Sequence, residues 1–468
     1  MQAARRETAL GPQGVPNPRS RAVLLCGKVV SVQASRPAAK PVLAPGQGRL
    51  TDLPSTSPAL PPQECYKAAE QFPDVAVDEV ISDTFAMRLL RDPELPSRRK
   101  QKMSLHRIAV IGGDGIGPEV VEAGVEVLEA LAAVEPGLAF EFKRFDWGSD
   151  YYRRNGRMMP QDGLAQIEDF DAIYFGSVGD PDLPDDITLW GLRLAICQGF
   201  DQYANVRPTR LLPGLTGPLR PELGQQIDWV IVRENSEGEY AGVGGRAHRG
   251  LPIEVGMDVA VFTRAGIERI ARFACDLAMS RPRKLLTVVT KSNAQRHGMV
   301  LWDEVVREVV RGYPGLTVDW MLVDAMTQRM VNKPGSIDTV LATNLHADIL
   351  SDLAAALGGS LGIGSTANID PSRSRPSMFE PIHGSAFDIT GKGVANPLGS
   401  FWTASLMLDH LGEQAAARRL MVAIETVTGR GESLSPDLGG AARTAEVTAA
   451  VIAALEGVNS TSSSRLAG

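Results

Sequence analysis

The stretch 323–352, VDAMTQRMVNKPGSIDTVLATNLHADILSD, decides how the rest of the chain is read. It carries Asp324 just after an apolar run, then Asp348 and Asp352 four residues apart. A helix running from about Ala347 puts Asp348 and Asp352 on one face, one turn apart. Two hard oxygen donors so placed suit Mg²⁺ or Mn²⁺ and leave positions for water and a ligand. The same spacing also occurs on solvated helix faces, so the setting of the pair matters. The run Thr339 to Leu345 predicts a buried strand ending at about Asn344, so the acids sit where a strand gives way to a helix. Open α/β sheets bind their ligands at such ends.

Outward from this stretch the same alternation recurs. In RIAVIGGDGIGPEVVEAGVEVLEALAAV, Ile108 to Ile111 predicts a short apolar strand, Gly112 to Gly117 a turn, and Pro118 the first turn of an amphipathic helix. The glycines run G-G-D-G-I-G, not G-x-G-x-x-G, and no ribose-binding acid follows about 20 residues on, so a Rossmann dinucleotide fingerprint is declined. After the helix-like DGLAQIEDF comes a second apolar strand, Ala172 to Phe175. Strand and helix in alternation predict a largely parallel sheet.

Composition sets outer bounds. The 468 residues suffice for two or more domains, and 44% hydrophobic with 22% charged residues is a globular balance. No apolar run approaches the ~20 residues of a membrane span. Cys26, Cys65, Cys197 and Cys275 are scattered without a C-x-x-C pair, which speaks against a disulfide or zinc scaffold and fits a reducing, cytoplasmic compartment. The net charge is −7, and because the first hundred residues carry a basic excess, the remainder is more acidic still. Nucleic acid and membrane are therefore not expected partners.

Six motifs stand in order along the chain: GDGIGPE at 113–119, FDQYANVRP at 200–208, VRENSEGEYAG at 232–242, TKSN at 290–293, NLHADILSD at 344–352 and EPIHGSAFDITGKGVANP at 380–397. Together they resemble the β-decarboxylating dehydrogenases, the family of isocitrate, isopropylmalate, D-malate and tartrate dehydrogenases. LWG at 189–191, VGGR at 243–246 and SRPRK at 280–284 are most similar to the tartrate and D-malate branch. The resemblance implies a two-domain α/β isopropylmalate-dehydrogenase-like fold, a mainly parallel sheet flanked by helices, and an obligate homodimer with a shared active site. The large cofactor domain is expected to join residues 104–202 with 359–460. The second, 203–358, would carry the substrate and metal site and the dimer interface, and 461–468 a disordered tail.

The activity this implies is metal-dependent, NAD-linked oxidation, with β-decarboxylation, of a malate- or tartrate-like 2-hydroxy dicarboxylic acid. The alternatives are a non-catalytic or regulatory paralogue, or an isopropylmalate- or isocitrate-type dehydrogenase. By resemblance Asp348 and Asp352 bind Mn²⁺ or Mg²⁺ from one subunit and Asp324 from the other; K⁺ is a further candidate cofactor. Lys291 matches the lysine that assists removal of the hydroxyl proton, and Tyr240 the tyrosine that protonates the enolate. Read without the motif, Lys291 is a solvated lysine after LLTVVT and Tyr240 a packed aromatic. Arg207 and Arg233 match arginines that grip substrate carboxylates, a task for which a planar guanidinium is suited. His383, Gly384 and Asn396 match the adenine side of the NAD site, and Asp388 the acid that favours NAD by accepting from the ribose 2′-hydroxyl and repelling a 2′-phosphate.

The chain also departs from the family pattern. A third family arginine is expected ten residues before Arg207, where this chain has Cys197. Arg193 stands one helical turn earlier, on the same face, at a position that in the family faces the substituent on C3 of the substrate. Two readings stay open: Arg193 restores the missing carboxylate contact, or it meets a polar or anionic C3 substituent. The bland alternative is that Arg193 faces solvent and Cys197 is merely packed. Phe387 replaces a common proline and Ala347 a common glycine. His346, beside the acids, is expected to pack or to hydrogen-bond rather than to ligate.

Residues 1–103 lie outside the resemblance. Their Pro, Ala, Gly, Ser and Arg richness predicts a disordered extension, and the Arg-rich, acid-poor start leaves organellar targeting open. Within it FPDVAVDEVISDTFAMRLLRDPE at 72–94 overlays YPGLTVDWMLVDAMTQRMVNKPG at 313–335 without a gap, Asp83 falling on Asp324. This partial repeat lacks the NLHADILSD portion. We read it as a remnant of a duplicated or neighbouring gene, with Met103 as the functional start. Intact-mass measurement of the native protein is then expected to give an N-terminus near Met103; a protease-resistant 1–102 segment would overturn that reading.

Overall fold

The computed structural model describes residues 22–25, 28–31 and 104–464. The chain divides into two units, 1–95 and 96–468. In the first, strands β1 (Ala22–Leu25) and β2 (Lys28–Ser31), within the extension expected to be disordered, pair antiparallel. Their valines favour extended backbone. The rest of the expected disordered extension, and the partial repeat at 72–94, lie outside the described residues.

The second unit is built on strands β3 (Ser104–Gly113), β4 (Leu138–Phe145), β5 (Ala172–Ser177), β6 (Ala204–Arg210), β7 (Asp228–Glu234), β8 (Gly238–Ala247), β9 (Val255–Val261), β10 (Leu285–Thr290), β11 (Thr317–Leu322), β12 (Thr339–Ala342), β13 (Ser365–Ile369) and β14 (Ser377–Pro381). Ten of them form one sheet in the order β11-β10-β12-β7-β6-β13-β14-β5-β3-β4. β11, β10, β12 and β7 run parallel, as do β14, β5, β3 and β4. Between these blocks β6 and β13 are antiparallel to each neighbour, so the two blocks point in opposite directions. The expected mainly parallel sheet is therefore present. Strands from 104–202 and 359–460 occupy one half and those from 203–358 the other, within one continuous sheet.

Helices cover both faces. Gly117–Val134 packs with Leu398–His410, Gln414–Arg430 and Thr444–Ser464 around Leu128, Leu131, Phe401 and Leu420. In the other half, Arg264–Ser280 and Gly298–Val310 bury Ile270, Cys275 and Trp302 against β7, β10 and β12. Helices Val323–Asn332 and Asn344–Leu357 seal the opposite side through Met326, Met330 and Leu350. The last helix continues to Ser464, through residues 461–464 of the expected disordered tail. Among the described residues no helix is long and apolar enough to cross a membrane. β8 and β9 form a separate two-stranded ribbon with Val243, Val255, Met257 and Val259 exposed.

Two local outcomes position the site. The strand predicted over Thr339–Leu345 stops at Ala342, and the helix begins at Asn344 rather than Ala347. Thr343 and Asn344 break the apolar run, and Asn344 is taken up by Arg233. The glycine-rich turn after β3 is a packing device. Asp114 in it is buried, accepting from Ser149 N at 2.6 Å, Ser149 Oγ at 2.8 Å and Gly179 N at 3.0 Å. Gly115 has φ +60°, and a Cβ there would lie 1.9 Å from Ser385 O. Gly115→Ala should thus lower unfolding stability by about 2 kcal/mol or more, read as a shift of the urea midpoint.

Candidate active site

The site follows from strand register. Arg233 on β7 lies opposite Asn205 on β6, and Asn205 opposite Asn368 on β13. Cross-strand partners project to one face, as do residues two apart on a strand. That face therefore also carries Arg207, two residues past Asn205, and Thr366, two residues before Asn368. Glu380 on β14, opposite Thr366, joins them. A row of polar side chains thus crosses the centre of the sheet, above which the helix Asn344–Leu357 brings Asp348 and Asp352.

Of these, Arg207, Arg233, Asp348, Asp352, Thr366 and Glu380 line a cleft of about 220 Å³ that also includes Arg193 and Tyr240. Arg233 forms an ion pair with Asp348 and donates to Asn344 Oδ1 from Nε at 2.9 Å and Nη2 at 2.6 Å. Arg207 Nη1 donates to Ser351 Oγ at 2.6 Å and to Asp348 at 3.3 Å, while its Nε donates to Asn205 Oδ1 at 2.9 Å. Tyr240 donates to the other oxygen of Asp348 at 3.2 Å. Arg233 and Arg207 are only 2% and 5% exposed. Two guanidinium groups this deep need an anion, and Asp348 supplies it.

The charge states follow. Burial would raise the Asp348 pKa, but Arg233 and then Arg207 outweigh it and hold the carboxyl below its ordinary range. Asp352 shows the reverse: burial and then the neighbouring Asp348 charge push it up. Burial and the adjacent Arg233 lower Arg207 to about 10. Burial and then the Asp348 charge raise Tyr240, so its hydroxyl keeps its proton at neutral pH. Burial lowers His383, which stays neutral.

Arg193 faces the cleft, not solvent. Its Nε donates to Glu380 Oε1 at 2.8 Å, Nη2 lies 2.6 Å from the same oxygen, and Nη2 also approaches Asn368 Oδ1 at 3.4 Å. Asn368 in turn donates to Glu380 at 2.9 Å and accepts from Asn205 at 2.6 Å and Asn235 at 3.0 Å. Cys197 lies 2% exposed within the adjoining core, its thiol raised to about 11 by burial. The bland reading of Arg193 is overturned.

Lys291 and Asp324 sit together but apart from the cleft lining, with Nζ donating to the carboxylate at 2.5 Å. Register explains the pairing, because Thr290 on β10 lies opposite Leu322 on β11, and the two residues follow those strand ends. The Lys291 hydrogen bond keeps Asp324 below the ordinary carboxylate range. Among the described residues no three His, Cys, Asp or Glu side chains gather to hold a metal ion. Of the three acids singled out, Asp348 and Asp352 line the cleft and Asp324 does not.

His383 and Gly384 line the cleft, and His383 Nε2 and Ser385 Oγ are buried without a partner among the described residues. A Cβ on Gly384 would meet nothing within 4 Å. Open backbone beside unspent polar atoms suits close approach of a polar cofactor. Asp388 is exposed nearby in sequence and is not part of the cleft lining. Asn396 is spent within the fold, donating to Asp437 at 2.9 Å and accepting from Leu398 N at 3.0 Å. His346 is packed, with Nδ1 unpartnered. Glu380, Asn368, Asn205 and Ser351 were not singled out from sequence. Asn205 and Asn368 carry no local signal, because β6 (ANVRPTR) and β13 (STANI) hold other polar residues as well.

A polar row across the centre of an α/β sheet, with three arginines paired to Asp348 and Glu380, thus lines one open cleft. The chain belongs to the isocitrate/isopropylmalate dehydrogenase family, whose model matches residues 107–451. It is 66% identical over 357 residues to a probable tartrate dehydrogenase/decarboxylase of Agrobacterium vitis, covering 76% of this chain and 99% of that one. It is 47% identical over 356 residues to the decarboxylating D-malate dehydrogenase of Escherichia coli, covering 75% and 98%. Isocitrate dehydrogenase from Methylococcus capsulatus matches the structure with a TM-score of 0.69 at 35% identity, over 75% of this chain and 99% of that one.

Asp352 supplies a test of whether the cleft takes a divalent cation. With its pKa raised in the fold, the apoprotein loses stability from this group as pH rises from the unfolded-state value through the raised one, and a divalent cation offsets that loss. Mn²⁺ should therefore raise the thermal midpoint at pH 7 to 8. Asp352→Asn should leave the metal-free midpoint unchanged or higher while abolishing the Mn²⁺ shift.

Proposed function

We propose that this chain is a homodimeric dehydrogenase that oxidises a malate- or tartrate-like 2-hydroxy dicarboxylic acid with NAD and decarboxylates the product where a β-carboxylate permits. The observation that carries this reading is the charge of the cleft. Arg193, Arg207 and Arg233 face Asp348, Asp352 and Glu380, three cations against three anions. A divalent cation and a dianionic acid enter such a site together without leaving buried charge unpaired. A tricarboxylate such as isocitrate brings one negative charge more.

When bound, a divalent cation lowers the hydroxyl pKa and takes up charge on the substrate oxygen, while NAD accepts the hydride. The arginines orient the carboxylates through charge-assisted hydrogen bonds. Tyr240, which holds its proton at neutral pH, would protonate the carbon left after CO₂ departs. Lys291 of the partner subunit would take the hydroxyl proton, and Asp324 of the partner subunit would complete the metal ligands. What supports a dimer is the lateral position of Lys291 and Asp324 and the exposed apolar residues of the β8–β9 ribbon, since a two-stranded ribbon alone is marginally stable. Asp388, exposed and acidic, favours NAD over NADP by repelling a 2′-phosphate.

One observation favours a second reading, a dimer that binds nucleotide without turnover: Cys197 leaves its position without a cation. Assay of the full chain with Mn²⁺ and NAD across D-malate, the tartrates, isocitrate and 3-isopropylmalate, with CO₂ followed in parallel, separates the two. Turnover is expected on D-malate or a tartrate and should exceed that on isocitrate. Bound NAD with no turnover of any of them would support the non-catalytic reading instead.

A further inference from the structure

The turn that carries Lys291 leaves β10 at Thr290 and closes on itself, because Lys291 O accepts from Ala294 N at 2.9 Å and from Gln295 N at 3.0 Å. Such a turn fixes its own shape but not its tilt against the sheet. The tilt is held by Ser292, whose N–H donates to Thr290 Oγ1 at 3.3 Å and whose Oγ donates to Asp303 Oδ2 at 2.7 Å. Asp303 lies on the helix Gly298–Val310 and is only 8% exposed, and its Oδ1 is buried with no hydrogen-bond partner among the described residues. Arg307, one helical turn on, stands 3.9 Å from Oδ2 and sets its guanidinium over the Trp320 ring, 4.2 Å from the centroid. Trp320 belongs to β11, the strand that leads to Asp324. One helix therefore holds the turn of Lys291 through Asp303 and the strand of Asp324 through Arg307. A carboxylate this deep, with one hydrogen bond and a long ion pair, is poorly compensated for its lost hydration, so fold stability alone is a weak account of it.

Resting on the function proposed above, we infer that Asp303 is a positioning residue for the oxidation step: through Ser292 it aims Lys291, which takes the substrate's hydroxyl proton in the cleft of the partner subunit. Asp303 itself touches neither substrate nor cofactor. Lysine carries its ammonium on a flexible four-carbon stem, so the direction in which the stem leaves the backbone decides what the nitrogen reaches. Lys291 has no second side chain to guide it within its own chain beyond the exposed Asp324, to which Nζ donates at 2.5 Å. A buried strut under the turn supplies the missing restraint. Misplacing a reacting group by about 1 Å costs on the order of a hundredfold in rate. The arginines that hold the acid are not tied to this turn, so the loss falls on kcat and not on KM.

The test measures kcat and KM with Mn²⁺ and NAD, on whichever of D-malate and the tartrates the full chain oxidises best. Ser292→Ala removes the strut at the surface end, where a lost hydroxyl leaves the core untouched, as an unchanged thermal midpoint would verify. It is expected to lower kcat by about tenfold to a hundredfold with KM nearly unchanged. Asp303→Ala should do the same, and the double variant should be no slower than Asp303→Ala, because both changes break one hydrogen bond. Asp303→Asn keeps an acceptor for Ser292 Oγ and should recover most of the kcat. A hybrid dimer separates aim from fold. With Lys291→Ala in one chain and Tyr240→Phe in the other, a single cleft keeps both groups, its tyrosine from the first chain and its lysine from the second. Ser292→Ala placed in the Tyr240→Phe chain should lower hybrid turnover, whereas in the Lys291→Ala chain, which has no lysine to aim, it should not. Equal losses from either chain, or a Ser292→Ala homodimer within about threefold of the wild-type kcat, against the loss expected from misplacement, would overturn the inference. An inactive hybrid would overturn the shared cleft on which the inference rests, a failure distinct from either of these.

Discussion

The pairing of Asp348 with Arg207 and Arg233 is the interaction on which the centre of the molecule depends. Both arginines rise from the middle of the sheet into a region closed to water, where an unpaired guanidinium would cost about 3–5 kcal/mol. Asp348 answers both at once and adds Tyr240, so one carboxylate ties β6, β7, the ribbon strand β8 and the helix Asn344–Leu357 together. Such a group is valuable less for net stability than for uniqueness. A register slip of one residue on β6 or β7 would turn an arginine to the opposite face and leave the carboxylate without its partner.

The neighbouring Glu380 does the same work for the other half of the sheet. Through Asn368 its carboxylate is connected to Asn205, and through Asn205 to Arg207, so the two ion-paired centres share one hydrogen-bonded row. The row crosses β6 and β13, where strand direction reverses, and it stitches together the two opposed parallel blocks. Asn205, Asn368 and Glu380 are tied to one another and to the arginines, while among the described residues Thr366 Oγ1, Asn235 Oδ1 and Asn344 Nδ2 are buried without a partner. A network so connected resists rearrangement of any one member. Asp352 is the counterpart: it has no ion-pair partner among the described residues, and burial and then the Asp348 charge raise its pKa.

Much of this was legible in the sequence. The spacing of Asp348 and Asp352 placed them on one helix face, and the apolar run before them predicted the strand, because both depend on local periodicity. The helix start at Asn344 was missed, since it is decided by a tertiary partner, Arg233. The ordered motifs indicated the arginines and Tyr240. They could not show that Arg193 turns inward, because its orientation is set by Glu380, 187 residues away. Asn205 and Asn368 escaped notice for the same reason. Their importance lies in cross-strand register between β6 and β13, which no local pattern reports. Asn396, read as facing a cofactor, is engaged by Asp437 and by the backbone at the start of the helix Leu398–His410.

The position of Lys291 and Asp324 follows from the same sheet. β11, β10 and β12 are adjacent and parallel, so Asp324, Lys291 and the helix bearing Asp348 all leave from one edge. The first two extend away from the cleft, and Asp324 in particular is largely exposed, its side chain 64% accessible. An exposed ion pair contributes little, because water and salt screen it and two long side chains must be held in place. The pair is therefore readily exchanged for a stronger interaction, whereas Asp348, held by two buried arginines, is not. Within a single chain the fixed carboxylate lies in the cleft and the exchangeable pair lies at the rim. A second copy presenting its own rim to this cleft would bring an acid and an ammonium group to the place where Asp352 lacks a partner. Each chain can thus fold with Asp348 and its two buried arginines already paired.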